Sequence, residues 1–285
     1  MSDGGVSGIQ RPSLDDVLSA LSLESLGEGR YQGDSVPAEG PVVFGGQLIG
    51  QAIVAATAEA SGKRVTSISS NFARTGRSDS PITFDVDRFH EGRSLASITV
   101  TARQGDRRLA RSLVLLGAEE GDVIRHGSDA PATGGPDSAT AQPVGIQGQE
   151  QRSVDDVDLF DPALVGPPVL QFWSRFATDV RDRPIAQALL TWASVNSFIG
   201  TAMRPHEGFG TSRAHRDLST GVLSHTLYFH DDFAGGDWLL FSLRSSFAGG
   251  GRAFGVGEVF TEPGRLVATA TQESMIRPMS AGSGL

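Results

Sequence analysis

The chain has 285 residues, 39% hydrophobic and 20% charged, which is length for about two domains and the composition of an ordinary soluble globular protein. The absence of cysteine excludes disulfides, cysteine nucleophiles, iron-sulfur clusters and thiolate zinc sites, and makes a cytoplasmic setting the simplest expectation. A net charge of -9 and a pI near 5.1 have the wrong sign for a general nucleic-acid or anionic-membrane binder, so an anionic substrate requires a local basic patch.

No apolar run approaches the roughly 20 residues of a membrane span, and the opening MSDGGVSGIQRPSLDD has neither a basic nor an apolar leader region, so no membrane insertion is expected. Lys63 is the single lysine, and Asn71 and Asn196 are the only asparagines.

In chain order, the first expected element is a short amphipathic helix within Ser13 to Leu26, where Leu14, Val17, Leu18, Leu21 and Leu26 fall near helical spacing behind a Ser cap and early acids. Phe44 to Ala60 (FGGQLIGQAIVAATAEA) predicts a buried helix opening on a Gly pair, followed by strands at Val65 to Phe72, Ile82 to Phe89, Leu95 to Ala102 and Leu109 to Leu116. Residues 118–167, rich in Gly, Pro, Ser, Asp and Gln, lack a sustained apolar period and predict a linker between domains 1–117 and 168–278. Gln187 to Met203 then predicts a second helix, with strands at Val222 to Phe229, Leu239 to Arg244, Ala253 to Phe260 and Leu266 to Met275. Residues 279–285 are expected to be a flexible tail.

The two halves share one grammar of helix, four strands and matching turns. Phe72, Ile82 and Phe84 match Phe229, Leu239 and Phe241 at a constant offset of 157 residues, which points to an internal duplication. Short turns make the strands antiparallel, and each Ala-rich helix needs a sheet to bury it on most sides. The fold class is therefore α+β: a double hot-dog, two tandem copies of a long helix wrapped by a curved antiparallel sheet, with the two sheets able to join edge to edge.

Several chemistries are absent. No G-x-S-x-G, G-x-x-x-x-G-K-[ST] or H-E-x-x-H occurs, which removes serine-hydrolase elbows, P-loops and zincins. The Gly249 to Gly251 run predicts a hairpin turn. Gly45, Gly46 and Gln47 at a helix start admit two readings: a tight turn, or helix-terminal amides receiving an oxyanion or thioester carbonyl. His225 and His230, five apart on a strand, point to opposite faces, and a structural role is the simpler reading of each. Arg74 and Arg77 are either solvated turn charges or phosphate contacts.

VFGGQLIGQAIVAA, FHEGRSLASITV, SHTLYFHDDF, DWLLFSLRS and GEVFTEPGRLVATATQESMIR resemble the acyl-CoA thioesterase II family of double hot-dog enzymes, over roughly residues 31–116 and 168–277. The resemblance implies hydrolysis of fatty acyl-CoA without metal or organic cofactor. In that family an Asp on the second helix, a Thr on the following strand and a Gln on the last strand hold a water that attacks the thioester.

Gln272 fits the family Gln, but Val195 stands at the Asp position and Val222 at the Thr position. Thr66 and Ser69 occupy positions where histidines are expected, and Asp231 replaces an Arg. Valine neither takes a proton from water nor holds it. The expected modified site is therefore Gln272 with Asn196, beside Val195, and Ser224, two residues beyond Val222 on a regular strand face. Trp192 and Phe198 are expected walls of an acyl tunnel.

The alternative from another class is a non-catalytic acyl-CoA or acyl-thioester binding protein that has lost the Asp and Thr. A hydratase on the same fold would need a His and Asp pair at a helix start, and none follows Gly45 or Ala193. The resemblance also implies a homodimer or larger homo-oligomer.

Overall fold

A computed structural model describes residues 11–36, 41–60 and 62–279. The tail expected at 279–285 lies outside these residues except for Met279.

Helix α1 (Leu14–Leu21) starts at a capping box in which Ser13 and Asp16 satisfy each other's backbone N–H, and its buried face is Leu14, Val17, Ala20 and Leu21. Strands β1 (Glu24–Gly27) and β2 (Arg30–Gly33) form a small hairpin at one sheet edge. Helix α2 (Gly45–Ala58) buries ten of its fourteen residues, as an Ala- and Gly-rich helix without a polar face must. Strands β3 (Arg64–Phe72), β4 (Ile82–Glu91), β5 (Leu95–Gln104) and β6 (Arg107–Gly117) wrap it.

The expected linker is ordered in part. It contributes β7 (Thr140–Gln142) and β8 (Gln149–Ser153), and β8 pairs with β9 (Val169–Phe176). The segment also closes a small second core of Trp173, Leu240 and Phe260 packed with Ala130, Ala139 and Val154, and Trp173 Nε1 donates to Gly134 O at 3.1 Å. These strands are short and polar, held by pairing to a neighbour rather than by an apolar period of their own, which is why composition alone suggested a linker.

The second long helix begins four residues earlier than expected and divides at Asn196 into α3 (Arg183–Val195) and α4 (Ser197–Met203). Around the division, Thr191 Oγ1 donates to Gln187 O at 2.8 Å, Ser194 Oγ lies 3.0 Å from Thr191 O, and Thr201 Oγ1 donates to Ser197 O at 2.8 Å. Hydroxyls bonded back onto the preceding turn bend helices in this way. Strands β10 (Leu218–Phe229), β11 (Leu239–Gly249), β12 (Arg252–Thr261) and β13 (Leu266–Pro278) follow. Gly250 and Gly251, at φ +60° and +75°, make the expected β11–β12 turn.

The thirteen strands among the described residues form one sheet, in the order β1-β2-β4-β5-β6-β3-β10-β13-β12-β11-β9-β8-β7. The halves meet at β3 and β10, where Ser69 and Thr226, 157 residues apart, are directly paired and their hydroxyls lie 2.9 Å apart. The expected duplication offset thus falls on a pseudo-twofold axis. Both copies even carry the same bulge, between Val65 and Ser67 in β3 and between Val222 and Ser224 in β10.

The helices cross antiparallel about the same axis. A Cβ on Gly46 would lie 3.2 Å from Trp192 Cα, and one on Gly50 would lie 3.1 Å from Ala188 Cβ, so glycine here permits close helix approach. Ala188 follows Gly46 by 142 residues, as Trp192 follows Gly50, and this offset relates the two helices.

Candidate active site

The bulge at Leu223 decides which side chains of β10 face the helices. Val222 pairs with Ser274, Ser224 with Glu273, and His225 with Gln272. Cross-strand partners share a face, so Val222 and His225 both point inward, three residues apart, while Ser224 turns to the outer face beside Asn71. Ser224 is therefore not a water holder alongside Val222. His225 and His230 do lie on opposite faces: His225 is fully buried, and His230 is at the surface with Nε2 2.8 Å from Thr269 Oγ1.

Four buried polar side chains form one hydrogen-bonded line. Ser194 Oγ on α3 is 3.2 Å from His225 Nε2, His225 Nδ1 is 2.9 Å from Gln272 Oε1, and Gln272 Nε2 donates to Ser274 Oγ at 2.9 Å. All four are at most 2% exposed. Because the Gln272 amide donates to Ser274, its oxygen faces His225, so the imidazole carries its proton on Nδ1 and presents a bare Nε2 to the Ser194 hydroxyl. Burial pushes the imidazole pKa down to about 4, only partly opposed by the Gln272 hydrogen bond, so the ring is neutral at pH 7. Phe198 seals it edge-on at 5.8 Å.

The twofold axis supplies an internal control. Under the strand offset and the observed registers, His225, Gln272 and Ser274 correspond to Ile68, Val114 and Leu116, and under the helix offset Ser194 corresponds to Ala52. All four counterparts are apolar and at most 2% exposed. The fold is therefore built once without any of these polar groups, so packing alone does not require them in the second copy. The first copy's own buried strand hydroxyls, Ser70 and Ser112, bond each other at 2.7 Å.

The other expected site residues distribute as follows. Val195 is wholly buried, with Cγ1 4.0 Å from where a Gly45 Cβ would stand, which places the start of α2 directly over this end of α3. Gly46 serves the helix crossing. Gln47 belongs to the scaffold rather than to an open pocket: its Oε1 accepts from Val36 N at 3.1 Å, and its Nε2 donates to Asp34 O and Gln51 Oε1. Asn196 is exposed and its side chain has no hydrogen bond among the described residues, which sets it outside the buried polar line.

Trp192 is half-buried against Phe44, ring centroids 5.0 Å apart. Phe198, 3% exposed, fills the space over Gly255 and Gly257 of β12 as core rather than as an open tunnel wall. Arg77 is held by Asp79 at 2.5 Å, and its hydrogen bond keeps the Asp79 carboxyl down at about 2, an exposed pair rather than a phosphate contact. Asp231 accepts from Arg125 of the interdomain segment at 2.5 Å. No cluster of three or more metal-ligating side chains occurs among the described residues, and no helix among them is long and apolar enough to cross a membrane.

Sequence reasoning noticed His225 but gave it a structural role, so its link to Gln272 was missed. The available signal was the matched register of the last strand against His225, hidden by the bulge.

A continuous curved sheet around two antiparallel helices, with a buried polar line in one half, defines the class as a double hot-dog protein. Residues 33–117 match a family model described as the acyl-CoA thioesterase N-terminal domain, and residues 126–276 match one described as the acyl-CoA thioesterase C-terminal domain. The chain belongs to the acyl-CoA thioesterase family. It is 28% identical to acyl-CoA thioesterase 2 of Haemophilus influenzae over 93% of this chain and 98% of that one, and 27% identical to acyl-coenzyme A thioesterase 8 of Mus musculus over 96% and 92%. Among solved structures, the acyl-CoA thioesterase II TesB2 from Mycobacterium marinum superimposes with a TM-score of 0.78 at 26% identity, covering 94% of this chain and 99% of that one.

Proposed function

We propose that the protein hydrolyses fatty acyl-CoA thioesters to free acid and CoA through a non-standard site in which His225 is the base. The observation that carries this reading is the Ser194–His225–Gln272–Ser274 line, present in one copy of the fold and replaced by apolar residues in the other.

Gln272 fixes the tautomer, so that Nε2 is free to accept a proton. Water attacks the thioester carbonyl and gives a proton to Ser194 Oγ, which passes its own to Nε2. The imidazolium returns that proton to Ser194 Oγ, whose own hydroxyl proton passes to the departing CoA sulfur, leaving the ring neutral. The hydroxyl proton of Ser194 has two acceptors within reach, His225 Nε2 and Thr191 O, and its rotation switches between them. The first-turn amides of α2, over Val195, are the candidate oxyanion donors. A base with a pKa near 4 is weaker than one poised near 7, so turnover is slower than an ideally tuned base would give.

The competing reading, an acyl-thioester binding protein without chemistry, is favoured by Val195 and Val222. Thiol release from a panel of short- to long-chain acyl-CoAs, measured on wild type and Gln272→Ala with ligand binding in parallel, separates the two. Turnover that collapses in the variant supports hydrolysis; binding without release, unchanged by the variant, establishes the carrier.

The resemblance to the family also motivates a homo-oligomer. Its support here is the exposed row of Leu113 and Leu115 on β6 and Tyr228 on β10, on the outer sheet face, and sedimentation equilibrium checks it.

A further inference from the structure

At the opposite end of the helix pair, where α2 finishes and α3 begins, lies a half-open pocket of about 260 Å³ whose polar lining is Thr57, Lys63, Arg64, Glu119, Arg183 and Gln187. It is the twofold counterpart of the candidate active site. Val65, on its wall, is the mate of Val222, and the helix offset carries Gly45 onto Gln187.

One group on this wall lacks the partner that burial demands, and a second has only a long ion pair. Gln187 is 3% exposed; its Nε2 donates to Val65 O at 2.9 Å, and its Oε1 has no hydrogen-bond partner among the described residues. The Lys63 side chain is 8% exposed, and its carboxylate contact, Glu91 Oε1 at 3.7 Å, is beyond hydrogen-bond length. The orphaned Gln187 acceptor and the Lys63 ammonium, ion-paired with Glu91, therefore line one pocket without bonding each other.

Arg64 and Arg183 add positive charge, each about one-third exposed and each shared with one carboxylate, Glu119 and Asp232 respectively. The start of α3 contributes little itself, because Asp182 already caps Ile185 N and Pro184 has no N–H. In a chain of net charge -9, this is a local basic cluster containing the only lysine.

We propose that this cavity is a second, non-catalytic site for a phosphorylated compound with a hydrogen-bond donor beside its phosphate. The phosphate meets Lys63, Arg64 and Arg183, and an amine or hydroxyl of the ligand donates to Gln187 Oε1. The cavity is smaller than the roughly 300–1,000 Å³ pockets that enclose whole drug-sized ligands, so it takes the phosphorylated end of a larger molecule. Two sources carry this chemistry: the phosphorylated nucleotide end of CoA, and a free nucleotide such as ADP. The site has no counterpart of His225 or Gln272, so binding there is not accompanied by hydrolysis.

The test is isothermal titration of the full chain with CoA, ADP and inorganic phosphate, on wild type, Gln187→Leu and Lys63→Met, with thermal melting to confirm folding. ADP or CoA is expected to bind wild type and to weaken about tenfold in each folded variant, while acyl-CoA thiol release at saturating substrate stays unchanged. Binding of CoA but not ADP assigns the site to the coenzyme, and binding of both assigns it to nucleotides generally. The proposal is overturned if neither ligand binds at millimolar concentration, if both variants bind as wild type does, or if inorganic phosphate binds as tightly as ADP. Because binding is read directly, its failure is distinct from a failure of the thioesterase reading.

Discussion

Acidification is a perturbation whose effect on the buried histidine can be worked out in advance. His225 is held neutral by burial, with a pKa near 4 in the folded chain against the ordinary 6.5 once unfolded. Its folded pKa is depressed, so the full contribution is present above pH 6.5, and stability is lost as pH falls toward 4, where the unfolded chain takes up a proton that the native chain refuses. The loss runs at up to about 1.4 kcal/mol per pH unit and reaches about 3 kcal/mol, levelling off below the folded pKa.

Carboxylates elsewhere contribute their own acid sensitivity, but a variant that lacks only the histidine line shares it. His225→Ile with Gln272→Val supplies that comparison, because Ile68 and Val114 already occupy the matching positions of the first copy and no buried amide is left unpaired. Urea unfolding at pH 7, 6, 5 and 4.5 on both proteins should show the variant gaining about 2–3 kcal/mol relative to wild type between pH 7 and 4.5. Parallel stability curves would refute the assignment of a buried neutral imidazole.

Three further outcomes follow from the geometry. Ser194→Ala, which installs the first copy's Ala52, leaves the buried His225 Nε2 without its hydroxyl partner, so it should cost about 1–3 kcal/mol in urea unfolding and lower kcat by about 10²- to 10⁴-fold in a thiol-release assay. Asn196→Ala, at an exposed residue without a side-chain hydrogen bond, should change kcat by less than about twofold; a large loss would show that the helix break holds the water after all. Gly46→Ala would set a methyl 2.5 Å from the Phe44 ring and 3.2 Å from Trp192 Cα, so thermal or urea unfolding should show a loss of about 1–3 kcal/mol as α2 and α3 are forced apart.

The repeat was readable because alternation and turn glycines are local signals, and the offset of 157 between the Phe72 and Phe229 strands is the separation of Ser69 and Thr226 at the observed axis. Strands β1, β2, β7, β8 and β9 were not read: four residues such as ESLG or five such as QEQRS have no apolar period and owe their conformation to a partner strand, and VLQFWSRF lies directly behind Gly166, Pro167 and Pro168.

The face of β10 was misread because of one extra residue. A regular strand through Val222 puts Ser224 inside and His225 outside, whereas an extra residue at the bulge reverses both, and nothing in Val-Leu-Ser marks that irregularity. Gln272 was reached through family resemblance, but its partner was not, because pairing His225 with Gln272 depends on a register that spans 47 residues. The role of Gly46 and Gly50 emerged only with the opposing helix, since close approach to Trp192 and Ala188 is a tertiary fact.

The central claim is that the polar line of the second copy performs chemistry that the first copy's apolar equivalents do not. Its most direct measurement is thiol release from a preferred acyl-CoA by wild type and by His225→Ile with Gln272→Val, with acyl-CoA binding followed on the same samples. The account predicts turnover in wild type, a loss of at least about 10²-fold in the variant, and retained binding. Equal turnover in the two proteins, or binding by both with thiol release from neither, would contradict it.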